Sequence, residues 1–321
     1  VIQTENKLGR LRGNTPRPSW LAFRGKLENA KNQRRKEGFG TYLFLVPATI
    51  GVLFVLLYPV LRTLWYSLTD TEGAGVGKFI GFHNYKTLVK DPILLRTMSN
   101  VAIWTIGTMA LPVFLGLVIA YLALGLKGSA IYRMIFLLPY VLSGVAVASI
   151  WFHIFQTKGL VNQFLAGIGL ERYQQSWLLN YPQNTISMII AATWSGTGLI
   201  VILFTVGLQN IPLQTVEAAT LDGANGWQMF RSIIWPQLKQ IRAVVIGTAL
   251  ANSLRTFDIV WVMTQGGPSR TSETLGVTMY RESFLLNRYG YGASIAVLLM
   301  VLVVSVSYFS LRGGLKRENS L

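Results

Sequence analysis

From residue 43 this chain reads LFLVPATIGVLFVLLYPV, eighteen residues without a charge, and five later blocks are of similar length and apolarity. Such a block matches the twenty or so residues that carry a helix across about 30 Å of hydrocarbon at 1.5 Å per residue. Six spans are expected, at about Thr41–Leu68, Met98–Leu124, Tyr132–Phe155, Thr185–Leu208, Ile241–Val262 and Tyr291–Leu311. Helices are the default because each satisfies its own backbone polar groups, and the blocks lack the alternation of barrel strands. The expected fold class is therefore all-α, a polytopic membrane protein with six transmembrane helices. Composition agrees: 51% of the 321 residues are hydrophobic and 13% charged, against about 25% charged in a typical soluble domain. A soluble enzyme and a disordered chain are excluded, and with no cysteine so are a disulfide scaffold and any thiolate site.

The net charge of +16 has a topological reading. With the N-terminus in the cytoplasm, the inside segments (1–40, 125–133, 209–242 and the tail from Arg312) hold 18 Lys and Arg. The outside segments (69–97, 157–183 and 266–288) hold 9, and Arg62 and Arg255 lie within spans. A two-to-one bias places both termini in the cytoplasm. No nucleic-acid partner is implied. Residues 1–40 are polar and basic, with no apolar core of a cleavable signal, and read as an arm near anionic lipid headgroups. Trp20 to Leu27 is a short amphipathic possibility within it.

Sites for covalent chemistry are hard to find. GAGVGKF (73–79) mimics a phosphate loop, but Gly73 is one residue too close to Gly77-Lys78 and Phe79 replaces the magnesium-binding hydroxyl. It reads as an external loop. His83 and His153 are far apart, so no metal site is expected. No serine elbow and no paired carboxylates appear, and the chain is not expected to be an enzyme or to bind a cofactor.

Polar groups inside the spans are more informative. Asn252, Arg255 and Asp258 recur every three residues in the fifth span, which predicts one helical face with an Arg255–Asp258 brace or a hydrophilic pathway wall. Trp194, Ser195 and Thr197 of the fourth span could face the same interior. Pro59, Pro112 and Pro139 mark possible kinks in the first three. Tyr140, Trp151 and Trp194 offer aromatic faces that could stack on a sugar ring, or could serve in ordinary helix packing.

The 209–242 stretch is too polar to span and too patterned for a linker. Pro212 can open a helix over Thr215 to Leu221, and Gly223 suits a left-handed cap. A second short helix, Trp227 to Ile234, is expected to stop at Pro236. Met229, Phe230, Ile233, Ile234 and Trp235 would give this cytoplasmic knob an apolar surface for a partner.

The spacing in this loop resembles the EAA motif of the integral membrane subunits of binding-protein-dependent ABC importers: Glu-Ala-Ala, three residues, Gly, nine residues, Ile, one residue, Leu-Pro. Glu217, Ala218, Ala219, Gly223, Ile233 and Pro236 match, Asp222 and Ala224 complete a D-G-A, and Trp235 stands in the Leu position. From Thr264, TQGGPSRTSETL is similar to a segment of maltose-type carbohydrate permeases, as are FIGFHNYKTL, RMIFLLPYVL and YRESFLLNRYGYGASIAV. The resemblance covers roughly residues 40–315. The basic cytoplasmic arm over 1–40 lies outside it, and it implies a permease domain over 41–312 with its coupling loop at 209–240, followed by a cytoplasmic tail over 313–321. It further implies an inner-membrane location among lipid and a second, non-identical permease subunit. Two ATP-binding subunits would carry the ATP and magnesium, and a periplasmic solute-binding protein would deliver a sugar. Glu217, Ala218, Ala219, Asp222, Gly223 and Pro236 would form the ATPase-coupling site. The pathway candidates are Trp194, Asn252, Arg255, Asp258, Tyr140 and Trp151. The long basic arm resembles that of the larger permease of alginate-oligosaccharide importers, which would make the solute acidic. The alternative is a secondary transporter driven by an ion gradient, which should show inverted repeats and midplane carboxylates. No clear repeat is visible, and Asp258 is the one acid within a span.

Overall fold

The computed structural model describes residues 44–315 apart from 74, 76, 125, 127 and 128, with only the backbone of 129, 130 and 309–315. The basic arm, its Trp20–Leu27 stretch and residues 316–321 lie outside the described residues. The described chain is helical, and its one extended pairing is the antiparallel bridge between Thr69 and Phe79. It divides at Arg62 into two compact units.

The first unit is described from Phe44 and belongs to α1 (Phe44–Ser67). Leu53–Leu57 of α1 is a π-helical stretch, with the Tyr58 N–H bonded to the Leu53 carbonyl. Pro59 follows two residues later. The widened turn takes up the proline, which has no N–H to give and crowds the preceding turn.

The second unit contains the rest. In chain order these are α2 (His83–Lys90), α3 (Pro92–Leu122), α4 (Ser129–Val141), α5 (Gly144–Ile154), α6 (Leu160–Gly167), α7 (Gln183–Gln209) and α8 (Leu213–Leu221). Next comes α9, built from Gly226–Gln228, the π-helical Met229–Ile234 and Trp235–Gln237. The last four are α10 (Lys239–Leu254), α11 (Asp258–Thr264), α12 (Leu275–Tyr280, continued by the π-helical Arg281–Leu285) and α13 (Tyr289–Leu315). Helix α7 is the hub, packed on α3, α4 and α5, while α10 pairs with α13 and α11 with α5.

Four helices are each long and apolar enough to cross a membrane: α1, α3, α7 and α13. The third and fifth expected spans are not continuous. Helices α4 and α5 meet at a 94° bend, and α10 and α11 at a 43° bend. At the first break Ser143 takes an extended conformation and its hydroxyl accepts from the Ala146 N–H, so it caps a new helix instead of continuing the old one. At the second, Arg255 to Phe257 leave the helical conformation. The spans therefore number four, or six when each bent pair is taken as one.

The loop after α7 also departs from expectation. Pro236 does not end the second helix. The π turn over Met229–Ile234, closed by the Trp235 N–H on the Phe230 carbonyl, carries α9 through the proline, as in α1. The helix begins at Gly226, where Asn225 and Gln228 form a reciprocal capping box with both bonds at 2.9 Å.

Candidate functional site: a coupling surface and a helix-break cavity

Helix α8 opens after Pro212 and ends in a Schellman turn, with the Ala224 N–H on the Ala219 carbonyl at 3.0 Å and the Gly223 N–H on Thr220 at 3.1 Å. Gly223 sits at φ +79°, where a side chain would be strained. The two alanines of the motif part company. Ala219 is buried against Met229, Ile234, Leu238 and Phe204, which joins the knob to the ends of α3, α7 and α10. Ala218 faces out, as do Glu217, Asp222, Gly223 and Pro236. Leu213 and Leu221 stand one helical step either side of Glu217 and are 65% and 89% exposed. The outer face of α8 is thus a ridge, leucine–glutamate–leucine, on a rigid base. Hydropathy reading overlooked both leucines, whose i, i+4, i+8 spacing with Glu217 was the available signal.

A cavity of about 250 Å³ lies where both helix breaks meet α3 and α7. Tyr140 and Asn252 line it, as does Ser195, with Trp104, Thr108, Thr248 and Thr256, which sequence reading missed. No lysine, arginine, histidine or carboxylate is among the lining residues. The interrupted backbone is well served: the Thr256 carbonyl accepts from the Thr274 hydroxyl at 3.0 Å, and the Trp104 indole donates to the Thr256 hydroxyl at 2.9 Å. Non-helical backbone at membrane depth is tolerated only under such protection.

The other pathway candidates lie elsewhere. Trp151 and Trp194 pack edge to face at 6.0 Å, and Trp151 stacks on Phe155 at 5.2 Å. Arg255 and Asp258 are exposed and flank the second break. Because the helix ends between them, the i, i+3 face does not form, and no ion pair joins them among the described residues. Asp258 approaches α5 instead. A Cβ on Gly144 would lie 2.7 Å from Asp258 Oδ2, so glycine there admits the carboxylate to the first turn of α5. An acid at a helix N-terminus is stabilised by the helix dipole.

The TQGGPSRTSETL segment, expected on the external side, packs around two buried acids. Glu273 is fully buried. It accepts from Arg270 Nε at 2.9 Å and Nη2 at 3.0 Å, from Arg281 Nε at 2.6 Å and from the Thr278 hydroxyl at 2.8 Å. Glu282 accepts from Arg270 Nη1 at 3.1 Å and Arg288 Nη1 at 3.3 Å. Burial alone would lower the Arg270 guanidinium, but hydrogen bonding and charge from Glu273, then Glu282, hold it above its ordinary value. Sequence reading had counted these arginines only as outside charges.

Residues 112–318 match the family of binding-protein-dependent transport system inner membrane components. The chain belongs to that family. It is 32% identical to the probable ABC transporter permease protein YurN of Bacillus subtilis over 84% of this chain and 94% of that one. To the alpha-glucoside transport system permease protein AglF of Rhizobium meliloti it is 32% identical over 90% of this chain and 86% of that one. A solved bacterial ABC transporter involved in import of the acidic polysaccharide alginate contains a chain of the same fold. Its TM-score is 0.74 at 22% identity, covering 87% of this permease and 98% of that chain. These relatives are transport components of the membrane rather than enzymes, and the ion-gradient alternative finds no support among them.

Proposed function

We propose that this permease forms half of the translocation pathway of an ATP-driven sugar importer. Its partners are a second, non-identical permease, two ATP-binding subunits and a periplasmic solute-binding protein. Both termini are cytoplasmic, and ATP and magnesium belong to the partner ATPases, not to this chain. The observation that carries the reading is the exposed ridge Leu213–Glu217–Leu221 on a base buried in the permease core. The leucines supply apolar contact to a cleft in the ATPase, and Glu217 between them pairs with a basic residue there. Ala219 and the cap at Gly223 pass the ATPase's movement into α3, α7 and α10.

The solute is a sugar or oligosaccharide, as the alpha-glucoside relative supports. Hydroxyl and amide groups beside aromatic faces, with no charge in the cavity, suit a neutral ring. An acidic, alginate-like solute is the second reading, favoured by nine basic against six acidic residues in the external segments. Gentle purification of the tagged chain from its host tests the assembly, and recovery of an ATPase and a second permease is the expected result. A chain that comes alone and resists cross-linking to any ATPase would overturn it. ATP turnover by the recovered complex, with its binding protein loaded with a neutral oligosaccharide or a uronate, then separates the two solute classes.

A further inference from the structure

Two stripes face one another beside the coupling region, each with a side chain every four residues: Phe114, Val118 and Leu122 on α3, and Trp227, Arg231 and Trp235 on α9. They line an open groove of about 760 Å³. Phe114, Leu122 and Trp227 are 63%, 65% and 67% exposed, so the stripes do not fill the space between them. The α3 stripe is about 12 Å long at 1.5 Å per residue, most of one leaflet's hydrocarbon depth of about 15 Å. Its residues are apolar and belong to a helix long and apolar enough to cross a membrane, so the groove suits a hydrocarbon chain.

The chemistry changes at the α9 lip. Trp227 and Trp235 are amphipathic rings of the kind found at headgroup depth. Arg231 brings a planar fork of N–H donors that matches a phosphate. The Arg242 guanidinium lies 3.8 Å from the centre of the Trp235 ring and backs it from outside the groove. An apolar channel with the Arg231 cation on its lip is complementary to an acyl chain bearing a negative headgroup. An extended peptide would leave its backbone polar groups facing an apolar wall, and an uncharged helix would leave Arg231 without an anion.

We infer that one anionic phospholipid of the cytoplasmic leaflet occupies this groove, its chain along α3 and its phosphate on Arg231. The test uses the full chain in its purified assembly, in nanodiscs holding equal parts of phosphatidylglycerol and phosphatidylethanolamine. Native mass spectrometry reads the lipid retained on release. One phosphatidylglycerol per chain is expected. Arg231→Gln should cut its retention roughly tenfold, the loss of one charge-assisted contact. Val118→Trp should cut it comparably by filling the groove with Arg231 intact. Retention at the parent's level in either variant, or no preference between the two lipids, would overturn the assignment. So would a photoreactive residue at position 227 that cross-links to protein instead of lipid.

Discussion

Replacing Glu273 by glutamine should loosen the segment over 264–288 without disturbing the spans. Glu273 is fully buried and accepts four hydrogen bonds, three of them from Arg270 and Arg281. Glutamine keeps the shape, loses the charge and turns an NH2 toward donors. Breaking a buried ion pair by neutralising one partner costs about 3–5 kcal/mol. Arg270 and Arg281 are 23% and 24% exposed, so water relieves part of their loss, and about 3 kcal/mol is the appropriate figure. At 1.36 kcal/mol per tenfold, local opening should become roughly a hundredfold more frequent. Hydrogen exchange of the amides of residues 264–288, in detergent or nanodiscs, reads this directly, with α3 and α7 as unchanged references. The double variant Glu273→Gln with Arg281→Gln should open less than the two single effects combined, because the stranded guanidinium is gone. Exchange in Glu273→Gln within about twofold of the parent would refute a role for this ion pair in holding the segment.

Four further outcomes follow from the geometry. Glu217→Ala should fold normally, because the side chain is exposed, yet lose most of the ATP turnover stimulated by the binding protein. Gly223→Ala meets no neighbouring atom, so its cost is the left-handed backbone alone, about 1–2 kcal/mol, seen as weaker ATPase association with the spans intact. Asp258→Asn removes a helix-terminal charge, about 0.3–1 kcal/mol, and should fold but alter uptake. Gly144→Ala should alter uptake more because its Cβ displaces the same carboxylate, and wild-type uptake in both would remove the Asp258 contact from the mechanism.

What the sequence made legible follows a physical division. Hydropathy located the four single spanning helices and the two bent pairs, which make six spans only when each pair is taken as one, because crossing hydrocarbon constrains composition over twenty residues at a time. The 209–242 loop was readable because its constraints are local: Gly223 does adopt the left-handed conformation its position required. The helix breaks were not, since averaging over a block conceals a change in three backbone angles. A weak signal was present in Ser143-Gly144, a capping residue after an apolar run, but Pro139 drew attention four residues too early. The ion pairs of Glu273 and Glu282 depend on left-handed turns at Ser269 and Arg270, which neither residue type announces. The expected Arg255–Asp258 brace failed because it assumed a helix where the chain stops being one.

The two breaks explain one another. An interrupted helix in a bilayer exposes backbone polar groups that lipid cannot satisfy. Here the α10–α11 break is covered by groups from other helices, with Trp104 of α3 on the Thr256 hydroxyl and Thr274 on the Thr256 carbonyl. Its first acidic residue, Asp258, rests at the start of α5, where the α4–α5 break supplies a helix N-terminus. Each interruption is therefore part of the environment that makes the other tolerable, and both border the one cavity. A straight α4–α5 helix would have no N-terminus to meet Asp258. A straight α10–α11 helix would not bring Thr256 out to the cavity. The interior of this permease is polar where it is because two helices break against each other, which places hydroxyls and an amide at the cavity without placing a charge there.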